Sequence, residues 1–351
     1  MNQIIKEDIK YIIHTDLGIN WELLKNSKIL ITGANGFLPA YMVETLLFLN
    51  SENSYNIDIY CLVRNILKAK SRFIDYIENE KLHFIVQDVC EPIQQNVNFD
   101  YIIHAASQAS PKYYGKDPVG TLKANTIGTY NMLNLAIQCK AKSFLYFSSS
   151  EVYGNINKDY INETDFGYID CNKTRSCYAE SKRMGETMCR SWNEQFNLNT
   201  KIVRPFHTYG PGMDLHDGRV FADFVNSIVN KKDIVLNSDG TSKRAFCYLR
   251  DATIAFFLIL LKGKPGEAYN MGNPDTETSI IDLALLLARM YKERMIQVKR
   301  ADNPISKGYL QSDVKRNLPD VKKLMELGWH YTTSMEEGFS KTIAYYKKQQ
   351  G

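Results

Sequence analysis

Lys28-Ile-Leu-Ile-Thr-Gly33-Ala-Asn-Gly36 is an apolar run of strand length that breaks at a glycine, and apolar residues at helical spacing follow it over 39–49. The pattern predicts strand, tight turn and helix, the opening of a βαβ unit. Glycines at such a turn let the backbone approach a pyrophosphate, which the helix N-terminus attracts. Gly33 and Gly36 suit that role, with Asn35 and Phe37 between strand and helix. A third glycine is absent from the pattern, and Pro39 stands in its place. Proline is tolerated in the first helical turn, because the N–H it lacks has no intrahelical partner there. The two glycines alone also fit an ordinary βα loop; their position in the first βαβ unit favours a dinucleotide site.

Outward from this stretch, strand-like runs at 57–63, 83–86, 101–105, 143–148 and 200–203 alternate with helical runs at 120–139 and 177–197. Short apolar strands alternating with helices predict an α/β fold, a Rossmann-like doubly wound parallel sheet covered on both faces. Beyond residue 205 the pattern loosens into turns at Gly210-Pro-Gly212, Asp217-Gly218 and Asp239-Gly240, with helical segments at 221–230, 251–261 and 280–291. This part is expected to form a smaller C-terminal substrate-binding lobe. The expected organisation is an N-terminal helical extension over 1–27 and a dinucleotide-binding domain with the catalytic residues over 28–205. The lobe then covers 206–351 and is interleaved with the sheet domain, since no repeat or low-complexity linker separates them.

The second strand ends Cys61-Leu-Val-Arg64-Asn65. An acidic residue there would hold the ribose 2′-hydroxyl of NAD, whereas an arginine can accept the 2′-phosphate of NADP. Arg64 therefore leans toward NADP; a solvated surface arginine is the plainer reading. Asp88, at the end of the third strand, is a candidate adenine contact. His104-Ala105-Ala106-Ser107 closes the fourth strand with small residues, as a backbone passing close to a cofactor requires.

Tyr178 and Lys182 are one helical turn apart and share a face. A lysine ammonium beside a phenol favours the phenolate, which can take a hydroxyl proton as hydride leaves for a nicotinamide. Ser149, in the run Ser148-Ser149-Ser150-Glu151, would hold the same oxygen. Tyr-x3-Lys alone is a weak signal; behind a glycine turn and a serine run it becomes strong. A simple alcohol dehydrogenase needs no carboxylate beside the serine. An enzyme that makes a 4-ketone and then acts at C5 does, and Glu151 supplies one. A salt-bridge partner at a strand end is the alternative for Glu151. Arg219, Arg244 and Arg316 are candidate phosphate clamps, since guanidinium forks match phosphate oxygens.

At 351 residues and 44% apolar content the chain can bury a large core. A net charge of +4 without long runs of one sign gives no nucleic-acid footprint. The polar N-terminus is unlike a secretory signal, and no segment approaches the ~18 apolar residues of a membrane span. Cysteines at 61, 90, 139, 171, 177, 189 and 247 stand singly, without Cys-x-x-Cys spacing, so no metal site is expected. A cytoplasmic enzyme with reduced thiols is the simplest reading.

Ser149-Ser-Glu-Val-Tyr-Gly154, the stretch Arg175 to Cys189, Asp217-Gly-Arg-Val220, Arg244-Ala-Phe-Cys-Tyr248 and Asn270-Met-Gly-Asn-Pro274 resemble the extended short-chain dehydrogenase/reductase family of nucleotide-sugar enzymes, the NAD-dependent epimerase/dehydratases. The likeness spans residues 28–345 and is greatest to the branch that decarboxylates UDP-glucuronate. It implies catalytic residues Tyr178, Lys182, Ser149, Ser150 and Glu151, and a tightly bound NAD or NADP. Further cofactor contacts are implied for Leu38, Val89, Asn125 and Pro205, and substrate contacts for Arg175 and His207. It also implies a nucleotide-diphosphate sugar as partner, and a homodimer built as a four-helix bundle from the helices near 120–139 and 178–197. A 4,6-dehydratase or 4-epimerase ending to the same first step is the alternative, and a catalytically silent nucleotide-binding protein is the alternative of another class. The chain departs from the family pattern at Pro39, at Arg64, at His207 where an asparagine is usual, and at Lys315–Asp320, which carries an extra residue.

Overall fold

The computed structural model describes residues 1–94, 97–301 and 314–348. Six parallel strands follow the sequence pattern: β1 (Lys28–Thr32), β2 (Asp58–Val63), β3 (Leu82–Val86), β4 (Tyr101–His104), β5 (Ser143–Phe147) and β6 (Thr200–Pro205). The strand Ala268–Met271 adds a seventh, and the order across the sheet is Ala268–Met271, β6, β5, β4, β1, β2, β3. The order reverses beside β1, and in open α/β sheets ligands bind at such a switch point, beyond the C-terminal strand ends.

The helices are α1 (Gln3–His14), α2 (Phe37–Asn53), α3 (Ile66–Arg72), the single turn α4 (Pro111–Tyr114), α5 (Pro118–Gln138) and α6 (Ser176–Phe196). An all-round apolar helix has to be covered on every side. In α2, every residue from Pro39 to Leu49 is buried, and α1, the sheet and the helix Leu249–Lys262 enclose it. Pro39 is buried in the first turn of α2, and Ala40 and Val43 beyond it share a core with Ile29 and Ile31 of β1, so helix and strand meet without the third glycine. α5 and α6 lie side by side on the opposite face.

A second core gathers Tyr209, Phe221, Phe224, Ile228, Phe246, Leu283 and Phe339. It is built from β7 (His207–Tyr209), the parallel strand Phe246–Tyr248 and helices at Val220–Val229, Ile280–Met290 and Met335–Lys347. The chain leaves the main sheet after β6 to begin this lobe, returns to the sheet at Ala268–Met271, and then completes the lobe with Ile280–Met290 and Met335–Lys347.

Candidate active site

The glycine turn is held from below by a histidine. Thr32 Oγ1 accepts the amides of Ala105 at 3.1 Å and Ala106 at 3.0 Å, so its own proton goes to His104 Nδ1 at 2.8 Å. Thr129 donates to the Asn125 carbonyl, which leaves its oxygen to accept Nε2–H of His104 at 3.1 Å. These partners assign the Nε2–H tautomer. Burial first, then the Lys182 charge, lowers His104 to about 3, so the ring stays neutral. The Ala105–Ala106 backbone is thereby pressed against Gly33. A Cβ on Gly33 would fall 2.8 Å from Ala106 Cα, at a φ of +64°, so glycine is required there by packing as well as by backbone conformation.

The N-cap of α2 is Gly36, with no side-chain hydrogen bond to the first amides. Gly36, Phe37, Leu38 and Pro39 line a cavity of about 950 Å³. Uncapped amides at the start of a long helix form an anion site. Ala105 and Ser107 line the same cavity, and the buried Ser107 hydroxyl has no hydrogen-bond partner among the described residues. These residues fit a bound dinucleotide.

Ser149, Ser150, Glu151, Tyr178, Lys182 and Pro205 also line this cavity. Tyr178 stacks on Tyr114, with ring centroids 4.8 Å apart and planes at 16°. The direction at Tyr178 is opposite to the expected acidification. Burial pushes the Tyr178 hydroxyl up to about 12, although the hydrogen bond with Ser149 and the Arg219 charge pull the other way. Burial also pushes Lys182 down to about 7. Its ammonium donates to the Phe147 carbonyl at 2.6 Å and lies 5.8 Å from the Tyr178 ring centroid. Desolvation outweighs proximity at both groups.

On the other wall, Arg175 forks onto Glu151, with Nη1 to Oε2 at 3.0 Å and Nη2 to Oε1 at 3.1 Å. Arg219 pairs with Asp217 at 3.2 Å, and Arg244 Nη2 donates to the Val314 carbonyl at 2.6 Å. His207 lies against the edges of Phe221 and Phe246. Burial, aided by the charges of Arg244 and Arg219, lowers it to about 3. Arg175, His207, Arg219 and Arg244 all line the cavity.

Other expected residues stand elsewhere. Arg316 does not line the cavity; it forks onto Glu277 at 2.5 and 2.9 Å and also meets Asp159. Its neighbour Asn317 lines the cavity instead, donating from Nδ2 to Ser150 Oγ at 3.2 Å. Asn125 is sealed between α5 and α6, where Nδ2 donates to Ser181, so it braces the catalytic helix and forms no part of the wall. Val89 is buried against Gly128 of α5. Gly33 and Asn35 of the turn, and Ala106 beyond β4, stand just outside the lining. Arg64 follows β2, and Asp88 lies past β3, capping the Cys90 amide. Burial opposes ionisation of Asp88, but the Cys90 hydrogen bonds and the charges of Arg64 and Lys123 hold its carboxyl below the usual range. Tyr209, ahead of the Gly210-Pro-Gly212 turn, is a core residue stacked on Phe339.

The sheet order, the uncapped α2 terminus and the Ser-Tyr-Lys cluster define a Rossmann-type enzyme site of the nicotinamide-dependent kind. The chain belongs to the NAD dependent epimerase/dehydratase family, whose model matches residues 29–272. It is 34% identical to UDP-glucuronic acid decarboxylase 1 of Xenopus tropicalis, over 92% of this chain and 72% of that one. It is 32% identical to UDP-glucuronic acid decarboxylase 6 of Arabidopsis thaliana, over 89% of this chain and 87% of that one. Among solved structures, UDP-glucose 4-epimerase of Thermotoga maritima superposes with a TM-score of 0.79 at 23% identity, covering 92% of this chain and all of the other. Among the described residues no helix is long and apolar enough to cross a membrane, and no cluster of His, Cys, Asp and Glu could hold a metal ion.

Proposed function

We propose that the protein decarboxylates a UDP-hexuronic acid of the UDP-glucuronate type through a transient 4-ketone, with no net redox change. The observation that carries this reading is the Glu151–Arg175 fork in the wall that also holds Ser149, Tyr178 and Lys182; the decarboxylases at 31–34% identity support it. Tyr178, hydrogen-bonded to Ser149, takes the C4 hydroxyl proton. NAD(P) held along Gly36, Phe37, Leu38, Ala105 and Ser107 would supply the hydride acceptor for C4 and the hydride for the closing reduction. The ketone makes the C5 carboxylate a β-keto acid: the bond from C5 to the carboxyl carbon breaks, carbon dioxide leaves, and the electron pair passes to the C4 oxygen as an enolate. A proton then restores C5, and the ketone is reduced. Glu151, Ser150 and Asn317 orient the ring. Arg175 offers its fork to the sugar carboxylate in place of Glu151. Arg219, Arg244 and His207 face the nucleotide diphosphate. Because Tyr178 is not acidified in advance, its ionisation is expected to be driven by the assembled complex.

Residues 28–205, on this reading, hold cofactor and chemistry, residues 206–351 close over the substrate, and residues 1–27 buttress α2. Arg64 tilts the cofactor toward NADP. Val119, Leu122, Ile127 and Tyr130 of α5, with Met184 and Phe196 of α6, leave apolar side chains exposed. That face suits a second copy of the chain, giving a four-helix homodimer. All seven cysteines are free, as a reducing cytoplasm requires.

Incubating the purified protein with UDP-glucuronate and weighing the product is the test. Loss of carbon dioxide is expected. Loss of water, or an unchanged mass with inverted C4, would replace the decarboxylase with a dehydratase or epimerase. Tyr178→Phe should lower turnover at least about 1,000-fold and leave cofactor binding intact. Mass analysis of cofactor released on denaturation decides between NAD and NADP.

A further inference from the structure

The carboxylate of Glu186 lies behind the cavity, and the reaction just proposed does not use it. Glu186 follows Lys182 by one turn of α6. Its Oε1 accepts the hydroxyl of Ser148, the residue before Ser149. The same oxygen accepts Nε of Arg204 at 2.9 Å, and Oε2 accepts Nη2 at 2.6 Å. Arg204 precedes Pro205, which lines the cavity from the end of β6. One side chain thus joins the three elements that carry Ser149, Lys182 and Pro205. Arg204 is anchored in turn by the Tyr153 hydroxyl at 2.8 Å and the Glu163 carbonyl at 2.9 Å.

The surroundings of Lys182 sharpen this arrangement. Tyr178, Glu186 and Cys189 face it from its own helix, Tyr146 from β5 with its ring centroid 5.0 Å from Nζ, and neutral His104 from β4. Glu186 is the only carboxylate in that set, and burial otherwise drives the lysine toward its uncharged form.

We infer that Glu186 is a positioning residue for the reaction: it clamps Ser148 and Arg204 to α6, one helical turn beyond Lys182. The inference rests on the reading of Tyr178, Lys182 and Ser149 given above, so its test has a readout independent of turnover. Lysines labelled with ¹³C at Cε are titrated in the purified protein, with the Lys182 resonance assigned by its loss in Lys182→Gln. In Glu186→Gln the Lys182 midpoint should fall by about one pH unit, whereas Glu186→Asp, which keeps the charge, should leave it in place. The alkaline limb of kcat should move with the midpoint. Should the single variant not fold, Glu186→Gln with Arg204→Gln removes both charges at similar volume, and a smaller downward shift is expected. Ser148→Ala, which deletes one hydroxyl, should lower kcat about fivefold at unchanged KM. An unmoved Lys182 midpoint in the Gln variants, or wild-type kcat in Ser148→Ala, would overturn the inference. A shifted midpoint in a protein that never turns over UDP-glucuronate would instead condemn the proposed function and leave the positioning role standing.

Discussion

Two Arg–Glu forks flank the end of β5. Arg175 meets Glu151 on the cavity side, with side chains 23% and 31% exposed; Arg204 meets Glu186 behind the strand, with 12% and 13% exposed. The pairing chemistry is the same and the surroundings differ. Glu186 also takes the Ser148 hydroxyl, and Arg204 also donates to Tyr153 and Glu163. The front pair borders open volume and stacks its guanidinium 5.9 Å from the Tyr114 ring. A desolvated pair held from several sides is expensive to break, because the survivor is a buried lone charge. A pair at the edge of a cavity can trade its partner for a ligand carboxylate at small net cost. The rear pair also borders a cavity, so its rigidity follows from its lower exposure together with the bonds to Ser148, Tyr153 and Glu163, which the front pair lacks.

The largest expected effect breaks the rear pair. Arg204→Met strands the Glu186 carboxylate and should destabilise the fold by about 3 kcal/mol, read as a lower urea midpoint at unchanged slope. If stability were retained, water would have to reach Glu186 freely, and the contrast between the pairs would vanish. Next comes the front pair. Glu151→Gln should lower kcat about 100-fold, or about 2.7 kcal/mol, while the stability read by urea unfolding changes by less than about 1 kcal/mol. An equal loss of stability in both variants would mean that the front fork is structural.

The sequence resolves what short-range pattern controls. β1 is a continuous apolar run closed by a glycine, and Tyr178 and Lys182 share a face of α6 through the 3.6 period; neighbouring residues determine both. Legibility fails where the answer depends on distant segments. Asn125 reads as polar and available until Ser181 and α6 cover it. Tyr178 reads as acidified because one-turn spacing shows the lysine and hides the desolvation that outweighs it. The Glu186 carboxylate has a local sign, since it continues the spacing from Tyr178 to Lys182 for one more turn, but its partners Ser148 and Arg204 come from two strands far off in the chain.

A third fork, Arg316 on Glu277, marks the outer limit of the comparison. Its geometry is as good as that of the other two, and Asp159 makes it a triad, yet Asp159 is 88% exposed and Arg316 33% exposed. Water screens such a cluster, and holding two flexible chains offsets most of the attraction. Arg316→Ala should therefore cost less than about 1 kcal/mol. Since Arg316 stands outside the cavity while Asn317 reaches Ser150, the KM for the nucleotide sugar should stay within about twofold, a range worth only about 0.4 kcal/mol. A tenfold rise in KM at unchanged stability would show that the guanidinium leaves Glu277 when substrate binds, and would move this fork from the outer surface into the exchangeable class of Arg175 and Glu151.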